Sequence, residues 1–270
     1  MLKKRNAAVI LAAGQGRRMN CDTAKQYLEL KNRPVLYYAI KAFEESSIDD
    51  IVLVTGEAET EFCRKEIVER YGFSKVRKIV AGGRERYHSV ARGLEALAAD
   101  GCLAEDAAPE TAGRQEAEGW QEPGIVMIHD GARPFVTKEL IDGLLAETVK
   151  YPACVTGTPV KDTIKIVDGE NACVDTPDRA RVWAVQTPQA FDYRLVLSSY
   201  RQVLAKESEL LSQGITITDD AMVVELCGDR KVHLIMGDYL NRKLTTPDDL
   251  LLAEPILDIL ATKYGEISRK

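Results

Sequence analysis

The chain has 270 residues, a formal net charge of −6 at pH 7, and 45% hydrophobic and 29% charged residues, an ordinary composition for a soluble globular protein. It contains no run of the roughly 18 apolar residues that a membrane span requires. Its net negative charge argues against a surface that coats nucleic acid, so an anionic substrate must be met by locally clustered cations. The six cysteines lack the paired spacing of a zinc site or a disulfide framework. We therefore expect a cytoplasmic protein with reduced thiols and no membrane or nucleic-acid partner.

Short apolar runs alternate with segments of helical periodicity along the first half of the chain. The apolar runs predict buried parallel strands at residues 8–12, 51–54, 76–80 and 125–128. Helical periodicity begins at Pro34, a favoured first-turn residue, and recurs over residues 59–71 and 89–99. This alternation predicts a mainly parallel sheet with helices on both faces. In such sheets ligands bind beyond the carboxyl ends of the strands.

Two segments interrupt this pattern. Residues 100–124 are rich in Ala, Glu, Gly and Pro, which predicts a mobile surface insertion. Residues 163–167 alternate in polarity, and after a turn at 168–169 a second apolar run follows at 172–174, which predicts a β-hairpin. Because a lone two-stranded hairpin is marginally stable in water, we expect this arm, at about residues 159–182, to pack on another surface such as a second subunit.

The end of the chain predicts one more helix, over residues 247–260, with Thr246 as its N-cap and acidic residues in its first turn. No internal repeat is present. We expect a single domain over residues 1–265 that includes both the insertion and the arm.

A glycine-rich segment directly follows the first predicted strand. Gly14 and Gly16 are followed by Arg18 and, further on, by Lys25. A turn of this kind lets backbone N–H groups approach phosphate closely. It is not a Walker A loop, and Met19 takes the place of the third glycine of a dinucleotide fingerprint. On spacing alone, an ordinary strand-ending turn with solvated arginines remains an alternative.

Two further motifs lie at the ends of later strands. Gly83 ends the third strand, and Ser89 either caps the next helix or faces a ligand. The string His-Asp-Gly-Ala-Arg-Pro at residues 129–134 ends the fourth strand. A carboxylate at this position, Asp130, can contact a ribose or a metal, or it can simply be neutralised by Arg133.

The second half of the chain carries residues suited to a phosphate monoester. Arg179 and Lys243 supply positive charge, and Thr163 and Thr187 supply hydroxyl groups. Each of them is also compatible with an ordinary polar turn. The acids of the string Thr-Asp-Asp-Ala at residues 218–221 either contact a ligand or cap a helix.

Taken in order, these motifs resemble the methylerythritol-phosphate cytidylyltransferases over roughly residues 7–254. The glycine loop with its downstream Lys-Gln is similar to that of nucleotidyltransferases that activate sugars and sugar alcohols, and residues 129–134 are similar to the family's own motif. The resemblance implies a Rossmann-like three-layer nucleotidyltransferase fold, a mostly parallel mixed sheet with a protruding hairpin arm. Two features depart from it: the 100–124 insertion, and Arg84, where some relatives carry an acidic residue.

The resemblance also implies roles for particular residues. Arg18 and Lys25 are the catalytic cations on the triphosphate. The nucleotide is bound by Ala12, Ala13, Gly14, Gly16, Gly83, Ser89, Asp130, Gly131 and Arg133. The acceptor is bound by Thr163, Arg179, Thr187 and Lys243. The implied cofactor is Mg²⁺ or another divalent cation, held by Asp130 or by the phosphates, and the implied assembly is a homodimer in which the arm reaches the neighbouring site.

The implied reaction transfers CMP from CTP to 2-C-methyl-D-erythritol 4-phosphate, which yields 4-diphosphocytidyl-2-C-methyl-D-erythritol and pyrophosphate for isoprenoid precursor synthesis. The second pKa of a phosphate monoester is near about 6, so the acceptor is already mostly a dianion at pH 7 and needs no general base. Three alternatives stay open: a ribitol-5-phosphate cytidylyltransferase, a sugar-1-phosphate nucleotidyltransferase with another nucleotide, and a non-catalytic CTP-sensing module.

Overall fold

A computed structural model of the chain describes residues 4–14, 24–98, 122–228 and 230–265. Within these ranges, no helix combines the length and the apolar character needed to cross a membrane. The strands are β1 (Asn6–Ala12), β2 (Glu29–Leu30), β3 (Arg33–Pro34), β4 (Asp50–Thr55), β5 (Val76–Ala81), β6 (Ile125–Asp130), β7 (Ala153–Pro159), β8 (Ile166–Val167), β9 (Cys173–Asp175), β10 (Trp183–Asp192) and β11 (His233–Met236).

The helices separate and follow these strands. They are α1 (Val35–Glu45), α2 (Thr60–Phe62), α3 (Arg86–Ala96), α4 (Lys138–Thr148), α5 (Tyr193–Ala205), α6 (Glu207–Ser212), α7 (Asp220–Leu226) and α8 (Pro247–Tyr264). Helix α2 continues over Cys63–Glu69 in wider, π-type turns. Single 3₁₀ turns occupy Lys25–Tyr27, Glu57–Glu59 and Arg179–Arg181.

Seven of the strands form one central sheet in the order β11-β7-β10-β6-β1-β4-β5. Strand β1 pairs in parallel with β4 and with β6, and β4 pairs in parallel with β5. Strand β10 runs antiparallel to both of its neighbours, β6 and β7. The four predicted strands are therefore confirmed, and so is the mostly parallel mixed sheet. Their carboxyl ends meet at one edge, where ligands bind in sheets of this type.

A hydrophobic core lies on each face of the sheet, because successive residues of a strand point to opposite faces. Ala8 and Ile10 of β1 join the core formed with α1, α4 and α8. Ala7 and Val9 join the core formed with α3, α5 and α7. The three-layer arrangement expected from the resemblance is thus present.

Helix α3 begins earlier than the sequence predicts. Its first residue is Arg86, and Glu85 precedes it as the N-cap, with the Glu85 N–H donating to Nδ1 of His88 at 3.3 Å. The interpretation of Ser89 as the N-cap is therefore wrong, and Ser89 lies inside the helix. The start three residues earlier brings Arg86 into the first turn, close to the carboxyl edge of the sheet.

The last predicted helix is confirmed and is longer than expected. Helix α8 runs to Tyr264, and Thr246 is its N-cap, with Asp249 completing a reciprocal capping box. Most of the predicted 100–124 insertion lies outside the described residues.

The predicted hairpin is present as the antiparallel pair β8 and β9. Its turn is held by the Asp168 carboxylate, which accepts from the N–H groups of Glu170 and Ala172 at 2.9 Å each. The hairpin exposes apolar side chains to solvent, with Ile166 48% and Val174 61% exposed. Its role as a dimerisation arm remains a prediction.

Candidate active site

Two cavities open beyond the carboxyl ends of β1 and β6. The larger, here called the Thr187 cavity, has a volume of about 340 Å³, and its walls include Arg133, Gln186, Thr187, Gln189 and Asp219. The smaller, here called the Gly14 cavity, has a volume of about 180 Å³, and its walls include Leu11, Ala13, Gly14, Lys25, Gln26 and Ser89. Arg86, Asp130 and Lys243 line both cavities. We call these three residues the charged partition.

The charged partition is organised around the carboxylate of Asp130. Lys243 Nζ donates to Asp130 Oδ2 at 2.7 Å, and Arg86 Nε donates to Oδ1 at 3.1 Å. Arg133 Nε lies 3.7 Å from Oδ2. Burial alone would raise the pKa of Asp130, but the positive charges of Arg86, Lys243 and Arg133 outweigh it and hold that pKa well below its usual range. Asp130 is therefore a permanent anion that fixes the cations around it.

Arg86 connects the charged partition to a second buried carboxylate. Its two Nη atoms donate to the two oxygens of Asp220 at 2.8 and 2.9 Å, the bidentate geometry that makes arginine–carboxylate pairs strong and directional. The hydroxyl of Tyr200 donates to the same carboxylate. Asp220 is fully buried, so it contacts these partners and not solvent.

His129 stands beside the partition but is itself completely buried. Its Nε2 lies 3.2 Å from the Arg133 carbonyl oxygen, and its Nδ1 lies 3.1 Å from Oγ1 of Thr187. A carbonyl only accepts, so Nε2 is assigned the proton and Nδ1 accepts from the Thr187 hydroxyl. Thr187 Oγ1 in turn accepts from the Asp130 N–H at 3.1 Å. Burial lowers the pKa of His129 to about 4, so the ring is neutral and structural.

Glycine is required at two strand ends where a neighbouring segment approaches closely. A Cβ on Gly131 would lie 2.8 Å from the carbonyl oxygen of Leu11, and a Cβ on Gly83 would lie 2.4 Å from Cβ of His88. The Gly83 N–H donates to Ser89 Oγ at 3.0 Å. The first contact joins the ends of β1 and β6, and the other two hold the end of β5 against α3 beside the Gly14 cavity.

The structure brings most of the predicted site residues together. Ala13, Gly14, Lys25, Ser89 and Asp130 line the Gly14 cavity. Asp130, Arg133, Thr187 and Lys243 line the Thr187 cavity. Ala12, Gly83 and Gly131 stand immediately behind these walls, and the Ala12 carbonyl accepts from Gln26 Nε2 at 2.6 Å.

The four other predicted residues lie either outside the described part of the chain or on the arm. Gly16 and Arg18 lie outside the described residues. Thr163 and Arg179 are exposed on the arm, and Arg179 Nη1 donates to the Lys161 carbonyl at 2.9 Å. Within the described residues, neither arm residue lines either cavity of its own chain.

Arg86 was not predicted as a site residue from the sequence, and the roles of Asp219 and Asp220 stayed open. Arg86 lies between a glycine pair and Ser89, and that position was its only signal in the sequence. The helix was expected to begin at residue 89, which left Arg86 in the preceding loop. Asp219 caps α7 by accepting from the Met222 N–H at 3.0 Å, and Asp220 pairs with Arg86. The partners are separated by 134 positions, so no local pattern connects them.

The described residues do not suit a metal held by the protein at Asp130. They contain no group of three or more His, Cys, Asp or Glu side chains placed to hold a metal ion. Both oxygens of Asp130 accept from cationic side chains, and a divalent cation beside three positive charges would be strongly repelled. A divalent cation would therefore have to be held by the phosphates of a ligand.

Residues 6–259 match the model of the family described as 2-C-methyl-D-erythritol 4-phosphate cytidylyltransferase. The chain is 40% identical over 250 residues to the protein of that name from Lachnoclostridium phytofermentans, covering 93% of this chain and 95% of the relative. It is 43% identical over 252 residues to the one from Caldanaerobacter subterraneus, covering 93% and 98%. The crystal structure of 4-diphosphocytidyl-2C-methyl-D-erythritol synthase from Anaerococcus prevotii aligns with a TM-score of 0.74 at 32% identity, covering 94% of this chain and 96% of that one.

Proposed function

Because the chain belongs to the 2-C-methyl-D-erythritol 4-phosphate cytidylyltransferase family, we propose how its own residues carry out that family's reaction. The enzyme transfers CMP from CTP to 2-C-methyl-D-erythritol 4-phosphate and releases pyrophosphate, a step of isoprenoid biosynthesis. The observation that supports our assignment is the charged partition, since Arg86, Asp130 and Lys243 line two adjoining cavities at once. Two phosphate-bearing substrates in these cavities would meet at the partition.

The Gly14 cavity takes CTP in this proposal. Cytosine lies near Gly83 and Ser89, where the tight approach of small residues leaves little room for a purine. The triphosphate lies over Ala13 and Gly14, at the carboxyl end of β1. Lys25 lines this cavity and, together with Arg18, neutralises the charge that develops on the triphosphate.

The Thr187 cavity takes the acceptor. Asp130 orients Lys243, and the Asn241 carbonyl, which accepts from Arg133 Nη1 at 3.0 Å, orients Arg133 before any ligand arrives. Little reorganisation is therefore needed when a phosphate binds. Thr187 is fixed from three sides: its hydroxyl contacts His129 and the Asp130 N–H, and its carbonyl accepts from Asn241 Nδ2 at 2.9 Å. These bonds hold Thr187 in place before the acceptor binds.

In the reaction, an oxygen of the acceptor phosphate forms a bond to the α-phosphorus of CTP while the bond from that phosphorus to the bridging oxygen breaks. Pyrophosphate leaves with the electron pair. No proton has to be removed from the dianionic acceptor, and His129, buried and engaged at both ring nitrogens, is not a base for it. Placement and charge stabilisation carry such a transfer. Mg²⁺ or another divalent cation, held by the phosphates, would add to the neutralisation.

The direct test is pyrophosphate release by the purified protein supplied with Mg²⁺, CTP and one polyol phosphate at a time. We expect release with 2-C-methyl-D-erythritol 4-phosphate. Release with ribitol 5-phosphate alone would assign the other acceptor. CTP binding without release for any acceptor would instead identify a nucleotide-sensing protein.

The arm supports a further part of the proposal, a homodimer in which each arm completes the partner's site. Its exposed apolar residues suit burial against a second copy, and Thr163 and Arg179 lie away from the cavities of their own chain. We propose that both residues enter the partner's Thr187 cavity, and two-fold symmetry would make this exchange reciprocal. The arm's sequence is thus suited to supply the second half of the acceptor site.

Mixing two inactive variants tests this arrangement. Lys25→Ala disables the Gly14 cavity of its own chain. Arg179→Ala disables the arm that its chain supplies to the partner's site. After the subunits exchange, half of the dimers are mixed and each holds one intact site, so about a quarter of the wild-type activity should return. Activity that stays at the level of the separate variants, in a mixture shown to contain mixed dimers, would place Arg179 in its own chain's site and contradict the exchange of arms.

A further inference from the structure

We propose that Asp220, braced by Tyr200, is a positioning residue that holds the Arg86 guanidinium across the two cavities. The inference rests on the proposed function, because it concerns the same site. It assigns a task to a carboxylate that lines neither cavity in the described part of the chain and contacts ligand in no step of the reaction.

Arg86 is held in a single orientation by its three donor atoms. Nε points to Asp130, while Nη1 and Nη2 point to the two oxygens of Asp220 at 2.8 and 2.9 Å. Asp220 thus accepts two of the three bonds and fixes the plane of the guanidinium. The second hydrogens on the Nη atoms remain directed away from this pair, and Arg86 lines both cavities.

Asp220 is itself immobilised from several directions. It is the first residue of α7, its side chain is 0% exposed, and the Tyr200 hydroxyl donates to it. The N-terminus of α7 is fastened by Gln189, whose side-chain oxygen accepts from the Ala221 N–H at 2.9 Å and whose Nε2 donates to Asp219 at 2.9 Å. Burial raises the pKa of Tyr200 well above its usual value, so the hydroxyl remains a donor.

The pairing of Arg86 with Asp220 matters because Asp130 has only two oxygens and three cationic neighbours. A guanidinium released from Asp220 would turn its fork onto Asp130, where bidentate pairing is favourable. It would then compete with Lys243, which donates to Oδ2 at 2.7 Å. By occupying both Nη atoms, Asp220 leaves Asp130 one bond to Arg86 and keeps Lys243 at the acceptor side.

A double-mutant cycle on kcat/KM for pyrophosphate release tests this role, using Arg86→Lys, Asp220→Asn and the double variant. Arg86→Lys keeps the charge and removes the fork. Asp220→Asn alone should lower kcat/KM at least about tenfold, within the range of coupling between neighbours in one network. Because Asp220 acts through Arg86, adding Asp220→Asn to Arg86→Lys should cost no more than about threefold further. Losses that multiply, or wild-type kcat/KM in Asp220→Asn, would overturn the proposal.

Asp50→Asn is the matched control. Asp50 is also a buried carboxylate, 4% exposed, paired to two nitrogens of an arginine, with Arg5 Nε at 2.5 Å and Nη2 at 2.7 Å. It lies at the start of β4, at the opposite edge of the sheet. All rates are normalised to folded protein by near-ultraviolet circular dichroism. Asp50→Asn should leave kcat/KM within about twofold of wild type, since it is far from the site.

Two further variants keep the test decisive if Asp220→Asn does not fold. Tyr200→Phe removes one hydroxyl and should lower kcat/KM in the wild-type background but not in Arg86→Lys. Asp220→Glu retains a carboxylate and should recover part of the activity, whereas equal losses in Asp220→Glu and Asp220→Asn would contradict positioning. Pyrophosphate release by the wild-type protein tests the proposed function separately from the role of Asp220. If the wild-type protein turns over no acceptor, the same double-mutant cycle is measured on the Kd for CTP.

Discussion

Replacing Lys25 by alanine should lower kcat about 10²- to 10³-fold, the usual loss when one preorganised transition-state donor is removed. Lys25 lines the Gly14 cavity, and its backbone is held by the two residues that follow it. Gln26 is buried and donates to the Ala12 carbonyl at 2.6 Å, and the Tyr27 hydroxyl donates to Glu59 at 3.0 Å. The lysine is thus presented from a fixed turn, and the loss should appear in turnover.

The measurement is the initial rate of pyrophosphate release at saturating CTP and acceptor. Lys31→Ala is a suitable control, because Lys31 is an exposed lysine in the same segment whose ammonium pairs with Asp258. It should retain wild-type turnover. A Lys25→Ala enzyme that keeps more than half of the wild-type kcat would remove Lys25 from the catalytic residues.

Lowering the pH from about 6.5 to about 4 should reduce the free energy of unfolding by about 3 kcal/mol, through His129 alone. The folded-state pKa of this buried histidine is about 4, below its unfolded value. As the pH falls through 6.5, His129 becomes protonated in the unfolded chain but stays neutral in the folded chain. The free energy of unfolding therefore decreases until the pH reaches the folded-state pKa. Carboxylates with depressed pKa values, such as Asp130 and Asp249, lose their contributions mainly at lower pH.

Urea unfolding at a series of pH values measures this effect. His129→Asn should flatten the dependence between about pH 6.5 and 4. His233→Asn is the control and should preserve it, because His233 lies on the edge strand β11, with its ring stacked on Tyr151. An unchanged slope in His129→Asn would show that another group titrates in this range.

The central strands could be predicted from the sequence because parallel strands that are buried on both faces consist of consecutive apolar residues. Residues 8–12 and 51–54 fall inside β1 and β4 for this reason. The partners on the other side of the sheet were not predicted: β7 contains Thr156 and Thr158, and β10 contains two glutamines. Their polar side chains are buried by hydrogen bonding to distant residues, as when Thr156 donates to the Pro188 carbonyl at 2.9 Å, and such partners leave no local periodicity.

In the candidate site, too, residues in local motifs could be predicted, whereas residues defined by tertiary contacts could not. Lys25, Asp130 and Lys243 were predicted because each lies in a recognisable motif, and all three line the adjoining cavities. Arg86 was missed because the prediction of the helix start depended on Ser89, whereas Glu85 with His88 caps the helix. The pairing of Arg86 with Asp220 is a tertiary contact, and only the folded backbone brings the two together.

The charges of the partition also bear on how ionic strength affects the capture of a ligand. Within the described part of the chain, four cations line the two cavities (Lys25, Arg86, Arg133 and Lys243), against three carboxylates, Asp130 and Asp219 in the walls and Asp220 behind Arg86. This leaves one positive charge in excess, while the whole protein carries −6. A polyanion is therefore repelled from afar and attracted at close range. Salt at 0.1 M limits interactions between exposed charges to about 10 Å, so it weakens the distant repulsion while the largely enclosed cations still act. Moderate salt should therefore ease the approach of a nucleotide to this acidic protein without much weakening its attraction to the cations in the two cavities.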